Sequence, residues 1–145
     1  MVVFPMPPPI KKIVETSLYV KSLKESEKFY TNVLGLEVVM RKPGRHVFMK
    51  AGRNMLLLFD PEGLRKEHKR LGDKAIPQVY ERGKTHLAFE VNDEDMPRWK
   101  ETFEAKKVPI EFVRDWPAGN HSFYFRDPDG NVVELITPGS WPIND

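Results

Sequence analysis

VETSLYV at residues 14–20 and THLAFEV at residues 85–91 are one kind of segment written twice. In both, β-branched or apolar residues fall at alternate positions, the period-two pattern of a strand with one buried face. Each is followed by an amphipathic stretch, ending FYTNVLGLEV in the first case and FEAKKVPIEF in the second. Each copy then runs through a His-x-Phe segment (His46 to Phe48, His121 to Phe123), a glycine-containing turn and a closing apolar run. Those runs are MLLLF at 55–59 and VVELI at 132–136. A duplicated β–α–β–β–β unit sets equivalent residues symmetrically around a shared space. The pairing matches Glu15 with His86, His46 with His121, and Leu57 with Glu134. Glu15, His86 and Glu134 carry groups that can bind a metal.

The chain has 145 residues, one domain's worth, and each half would be marginal alone. The expected plan is a Pro-rich arm at 1–12, module one at 13–59, a joint at 60–84, module two at 85–138 and a tail at 139–145. Lys and Arg number 23 against 21 Asp and Glu, interspersed, for a net charge of +2. That balance gives no case for a nucleic-acid partner. No apolar run reaches membrane-spanning length, so no membrane partner is expected. The first ten residues lack the basic region, apolar stretch and cleavage site of a signal peptide. Their four prolines suggest an extended arm, free or packed on a partner subunit. With no cysteine, disulfides, thiolate ligands and Cys nucleophiles are excluded, and a cytoplasmic location is the default.

Ser22 with Glu25 three residues on is a capping box, so a helix begins there, and Gly35 is its stop. Strands are expected at 13–20, 36–41, 46–51 and 54–59. The joint is charge-rich, with a short helix possible at 62–70 but polar all round. Module two repeats the plan, with a helix from Asn92 or Asp93 and Pro97 in its first turn. Met96, Trp99 and Phe103 form its buried stripe. Strands near 109–114, 121–126 and 132–137 follow, the last two joined by the strong turn DPDGN at 127–131.

The FY-x-x-x-LG motif at 29–35, HLAFEV at 86–91 and FYFRDPDGNVVELITP at 123–138 together resemble the vicinal oxygen chelate superfamily. That superfamily includes glyoxalase I, extradiol dioxygenases, fosfomycin- and bleomycin-resistance proteins and methylmalonyl-CoA epimerases. The similarity covers residues 13–138. It implies an α+β fold of two tandem βαβββ modules whose curved mixed sheet wraps a metal and substrate cup. It also implies ligands from the first and last strands of each module. Carried over, those positions are Glu15, His86, Leu57 and Glu134. Leu57 cannot ligate, so the implied metal set is Glu15, His86 and Glu134, with water or substrate completing the shell. Full glyoxalase I activity is placed in doubt by the missing fourth ligand.

Two carboxylates and one imidazole would neutralise a divalent cation and leave open positions for substrate oxygens. Mn²⁺, Mg²⁺, Co²⁺, Ni²⁺ and Zn²⁺ all suit that set, and Fe²⁺ less well, since Fe(II) dioxygenases usually present two His and one carboxylate. The expected function is a small-molecule metalloenzyme using the metal as a Lewis acid, with Glu15 and Glu134 as catalytic carboxylates. Two other functions stay open: a metal-free drug-binding protein of the bleomycin-resistance type, and an Fe(II) extradiol-type dioxygenase. A homodimer is implied by the resemblance. Glu134 interrupts an apolar run, and an inward carboxylate needs a partner. Taken singly, Glu15 reads better as an edge-strand carboxylate and His86 as a packed core histidine; taken together at symmetry-related positions, the ligand reading is preferred.

His46 and His121 either line the cup or are partly exposed strand residues. Tyr19 shares a face with Glu15. Phe48 and Phe123 are core or pocket wall. Arg45 and Arg126 either receive an anionic substrate group or end their strands in solvent. The substrate pocket is expected to comprise His46, His121, Tyr19, Leu57, Phe48, Phe123 and Arg45. Trp116 and Trp141 lie in loop-like segments and either close over a pocket or anchor to the core.

Overall fold

A computed structural model describes residues 6–143; residues 1–5 of the expected arm and the last two of the tail lie outside it. The first module comprises β1 (Glu15–Tyr19), α1 (Leu23–Asn32), β2 (Glu37–Lys42), β3 (His46–Ala51) and β4 (Asn54–Phe59). Helix α2 (Pro61–Leu71) occupies the joint. The second module comprises β5 (His86–Glu90), α3 (Met96–Ala105), β6 (Phe112–Asp115), β7 (His121–Arg126) and β8 (Val132–Ile136). Each module forms its own four-stranded mixed sheet, ordered β1-β4-β3-β2 and β5-β8-β7-β6. The first strand of each is parallel to the last, and the other pairings are antiparallel. The α+β architecture of two βαβββ units is the one the sequence implies.

Local chemistry sets the element ends. The Ser22 hydroxyl accepts from the Glu25 N–H at 3.1 Å and opens α1. Gly35, at φ 71°, turns the chain out of it. Pro97 sits in the first turn of α3, where its missing N–H costs nothing.

The helix-bearing faces of both sheets share one core. Leu18, Val47, Met49, Leu56 and Leu58 of the first sheet join Phe123, Phe125, Val133 and Leu135 of the second. Tyr30 of α1 and Met96 and Phe103 of α3 belong to the same cluster. Phe29 in α1 stands 6.1 Å from Phe125 in β7, and Phe103 packs edge-on to both Phe123 and Phe125. Because side chains alternate along a strand, the opposite faces of the two sheets point away from this core. Glu15, Ser17 and Tyr19 lie on the outer face of the first sheet, with Leu57, Phe59, His46 and Phe48. His86, Ala88, Glu134, Ser122 and Tyr124 lie on the outer face of the second.

The register corrects one equivalence. His46 pairs with Phe59, and the residue paired with the matching Ile136 is Ser122, not His121. A slip of one residue exchanges faces. His121 therefore shares a face with Phe123 and Phe125, at the strand end, and ties its Nδ1 to Asp115 at 2.7 Å. Phe123 is fully buried under α3. Neither lines the outer face of the sheet, so both leave the expected substrate pocket.

The joint also differs from its expected character. Leu64 gives α2 a buried apolar contact, in a cluster with Leu57 and Phe59 and with Tyr19, Phe48 and Tyr80 against it. Asp60 caps the helix by accepting from the Glu62 N–H at 2.9 Å. Gly63 approaches the Gly44 turn so closely that a Cβ there would stand 1.8 Å from the Gly44 carbonyl oxygen. The Arg45–Glu67 ion pair, at 2.9 Å, fixes the same contact. The joint thus covers part of the first sheet's outer face.

Candidate metal centre

Parallel pairing of β5 with β8 sets His86 beside Val132 and Ala88 beside Glu134, so the small Ala88 leaves room between the two functional side chains. His86 Nδ1 lies 3.0 Å from the Val132 carbonyl oxygen, and Nε2 lies 3.1 Å from Glu134 Oε1. A carbonyl can only accept, so Nδ1 carries a ring hydrogen, and Nε2 meets the carboxylate either as a second donor in an ion pair or with a lone pair across a cation. Ligands held at about 2.1 Å from one metal and at right angles stand about 3 Å apart. A backbone carbonyl fixing the far nitrogen is the usual support of a metal-bound histidine. The pair therefore fits a divalent metal.

Glu134 is buried, with 5% of its surface exposed, while half of the His86 side chain is open to solvent. The carboxylate's second oxygen accepts from Ser122 Oγ at 2.6 Å, and that hydroxyl in turn accepts from Trp116 Nε1 at 2.8 Å. Tyr124, paired with Glu134 across the ladder, stacks on His86 with ring centroids 6.1 Å apart. Burial, and next the Glu134 charge, push the Tyr124 hydroxyl pKa up. Arg114 shares this face and stacks over Trp116 at 4.6 Å.

The structure brings together two of the three expected ligands. No group of three or more His, Cys, Asp or Glu side chains converges among the described residues. Glu15 stands exposed on β1, in a groove of about 670 Å³ along the free edges of β1 and β5, with Leu34, Leu56, Phe89 and Trp99. The first sheet's outer face, where the symmetric half-site would be, is aromatic. His46 stacks on Phe48 at 3.9 Å and Tyr19 on Phe59 at 5.7 Å, with Leu57 buried beside them. Arg45 is committed to Glu67 and His46, and Arg126 to Glu111 at 2.7 Å, so neither is a free anion receptor.

Ser122 and Arg114 escaped the sequence reading. The signal was present: in HSFYFR the more apolar alternation is Phe123 with Phe125, which assigns Ser122 and Tyr124 to the outer face.

Fold and side-chain pair define a class, a duplicated βαβββ protein with a histidine and a carboxylate 3.1 Å apart on one sheet face. The chain belongs to the Glyoxalase/Bleomycin resistance protein/Dioxygenase superfamily, whose sequence profile matches residues 12–135. A crystal structure of a lactoylglutathione lyase from Agrobacterium tumefaciens superposes with a TM-score of 0.83 at 39% identity, covering 94% of this chain and all of that one. The lactoylglutathione lyase of Pseudomonas putida is 30% identical over an alignment that covers 85% of this chain and 83% of the relative. The metallothiol transferase FosB of Staphylococcus haemolyticus is 28% identical over 129 residues, 88% of this chain and 84% of the relative. No helix among the described residues is long and apolar enough to cross a membrane.

Proposed function

We propose that this protein is a divalent-metal enzyme of glyoxalase type acting on an oxygen-bearing small molecule. The observation that carries the reading is the His86 Nε2 to Glu134 Oε1 separation of 3.1 Å, with the far ring nitrogen tied to backbone. Metal dependence is typical of the lyase and FosB relatives. A bound divalent cation would polarise a substrate oxygen and acidify the carbon beside the carbonyl. His86 and Glu134 would hold it, with Glu15 as the third ligand. Leu57 supplies no donor, which leaves positions for substrate.

Glu15 lies on the outer face of the other sheet, so a second copy must bring it. The reading is therefore a homodimer in which each cup joins the first sheet of one copy to the second sheet of the other. Of the two expected catalytic carboxylates, Glu15 is the one exposed to accept a proton, because both Glu134 oxygens have partners. Tyr19 and Phe48, half-buried and packed on the buried Leu57, would give the cup an apolar wall. A cytoplasmic location accords with the cysteine-free sequence. Of the reactions named for the relatives, the 39% identity of the Agrobacterium protein favours that of lactoylglutathione lyase, the glyoxalase I reaction, while the missing donor at Leu57 counts against it, and the activity assay below decides between the two.

Elemental analysis of protein purified without chelator, beside Glu15→Ala, His86→Ala and Glu134→Ala, tests this reading. The expected result is near-stoichiometric Mn, Co, Ni or Zn in the parent, lost in the three variants, with lactoylglutathione lyase activity following the metal. Retained iron with oxygen uptake would move the protein to the dioxygenases. No metal after soaking, with binding of an aromatic cation, would move it to the bleomycin-resistance type.

A further inference from the structure

We propose that Trp116 and Ser122 are positioning residues that hold Glu134 as a single-oxygen ligand. The inference rests on the metal reading above and adds what sets the ligand's geometry. An indole N–H can only donate. Trp116 Nε1 is 2.8 Å from Ser122 Oγ, so the serine oxygen accepts there. Its own hydrogen is then directed at Glu134 Oε2, 2.6 Å away. The chain of bonds has one direction, and no rotation of the serine hydroxyl preserves both contacts otherwise.

Its consequences follow from what remains free. Oε2 is occupied by a charge-assisted bond in a buried setting, where such bonds are strong. Oε1 alone faces His86 Nε2. Glu134 is thereby oriented to offer one oxygen to a bound metal, which would leave a position open for substrate. The anchor of this arrangement is the β6–β7 loop. Trp116 N–H donates to the Asn120 carbonyl at 2.8 Å, Gly119 N–H to the Trp116 carbonyl at 2.9 Å, and the Arg114 guanidinium covers the indole. The first module has no counterpart, since His46 stands where Ser122 stands and Leu57 where Glu134 stands.

The test uses full-length protein, Ser122→Ala and Trp116→Phe, each titrated with Co²⁺ against a competing chelator. Loss of a bond to a metal ligand lowers metal affinity by about 10–100-fold, and that loss is expected for Ser122→Ala. Trp116→Phe keeps the ring and the serine and should show a smaller loss in the same direction. The Co²⁺ visible band should weaken in Ser122→Ala as the released Oε2 adds a bond to the metal. The Trp116 indole N–H resonance, identified by its absence in Trp116→Phe, should shift in metal-free Ser122→Ala protein. If the parent binds no Co²⁺, the metal reading fails, and the indole shift still decides whether the hydrogen-bond chain exists. If the parent binds Co²⁺ and folded Ser122→Ala matches it in affinity and spectrum, the positioning role is overturned while the metal site stands. Should Ser122→Ala not fold, Trp116→Phe decides alone, and unchanged affinity there overturns the proposal.

Discussion

The Tyr30 hydroxyl of α1 donates to the Asp127 carboxylate at 2.7 Å, tying the first module's helix to the second module's closing hairpin. Asp127 also accepts from the Asp129 and Asn131 backbone N–H groups and from Asn131 Nδ2. Both residues are buried. Burial first, and then the Asp127 charge, push the Tyr30 hydroxyl pKa upward, so it stays a donor through the neutral range. Tyr30→Phe removes one of four donors from a buried carboxylate and should cost about 1–3 kcal/mol. Urea unfolding should show a lower midpoint with the slope unchanged. An unaltered midpoint would mean that water replaces the hydroxyl.

Gly63 makes a second prediction about the joint. With a Cβ 1.8 Å from the Gly44 carbonyl oxygen, Gly63→Ala must lift α2 from the β2–β3 turn. Leu64 then loses its seat against Leu57 and Phe59. The expected loss is about 1–3 kcal/mol, the range for overpacking. Faster amide exchange confined to α2 and its neighbours would locate it. Exchange and stability equal to the parent would show that the helix tolerates the shift.

His46 predicts a pH effect. Arg45 Nη1 donates to Nδ1 at 2.7 Å, so the ring hydrogen is on Nε2, a buried atom with no hydrogen-bond partner. Burial first, then the Arg45 and Lys42 charges, hold the His46 pKa below its ordinary 6.5. The unfolded chain therefore binds a proton that the folded chain refuses. The contribution to stability is complete above pH 6.5 and is lost as pH falls from there toward the lowered folded value. His46→Phe removes both the titration and the orphan N–H, while a ring remains to stack on Phe48. The melting temperature of the variant should fall less than the parent's between pH 7.5 and 5.5, two conditions chosen about one unit either side of an ordinary histidine pKa. Equal falls would show that His46 takes up its proton over the same pH range in the folded and unfolded chains.

Sequence periodicity made the duplicated fold legible because a period-two pattern with a capped helix admits few alternatives. Ser22, Gly35, Pro97 and the DPDGN turn each act within a few residues, and each appears where the sequence puts it. Glu134 was legible for a similar reason, as a charge inside an apolar strand. What local pattern could not carry was register and burial across distance. His121 was matched to His46 because both begin a His-x-Phe segment, yet hydrogen-bond pairing with β8 moves the match to Ser122. Helix α2 looked polar all round, since one leucine, Leu64, and one glycine, Gly63, suffice to seat it. Trp116 required the β6–β7 loop to fold back, which no spacing in the sequence encodes.

Separation of Glu15 from the His86–Glu134 pair leads to the sharpest test of assembly. If each cup takes Glu15 from one copy and His86 with Glu134 from another, Glu15→Ala and His86→Ala homodimers each lose both sites. Unfolding and refolding an equal mixture gives hybrids in which one cup carries both substitutions and the other carries neither. Half of the dimers are then hybrids, with one intact site each, so about a quarter of the parent's metal content and activity should return. A cup built within one chain gives no intact site in any hybrid, and the mixture would stay as inactive as its components. The outcome therefore separates a shared cup from a self-contained one without knowledge of the natural substrate, since metal content alone reads it.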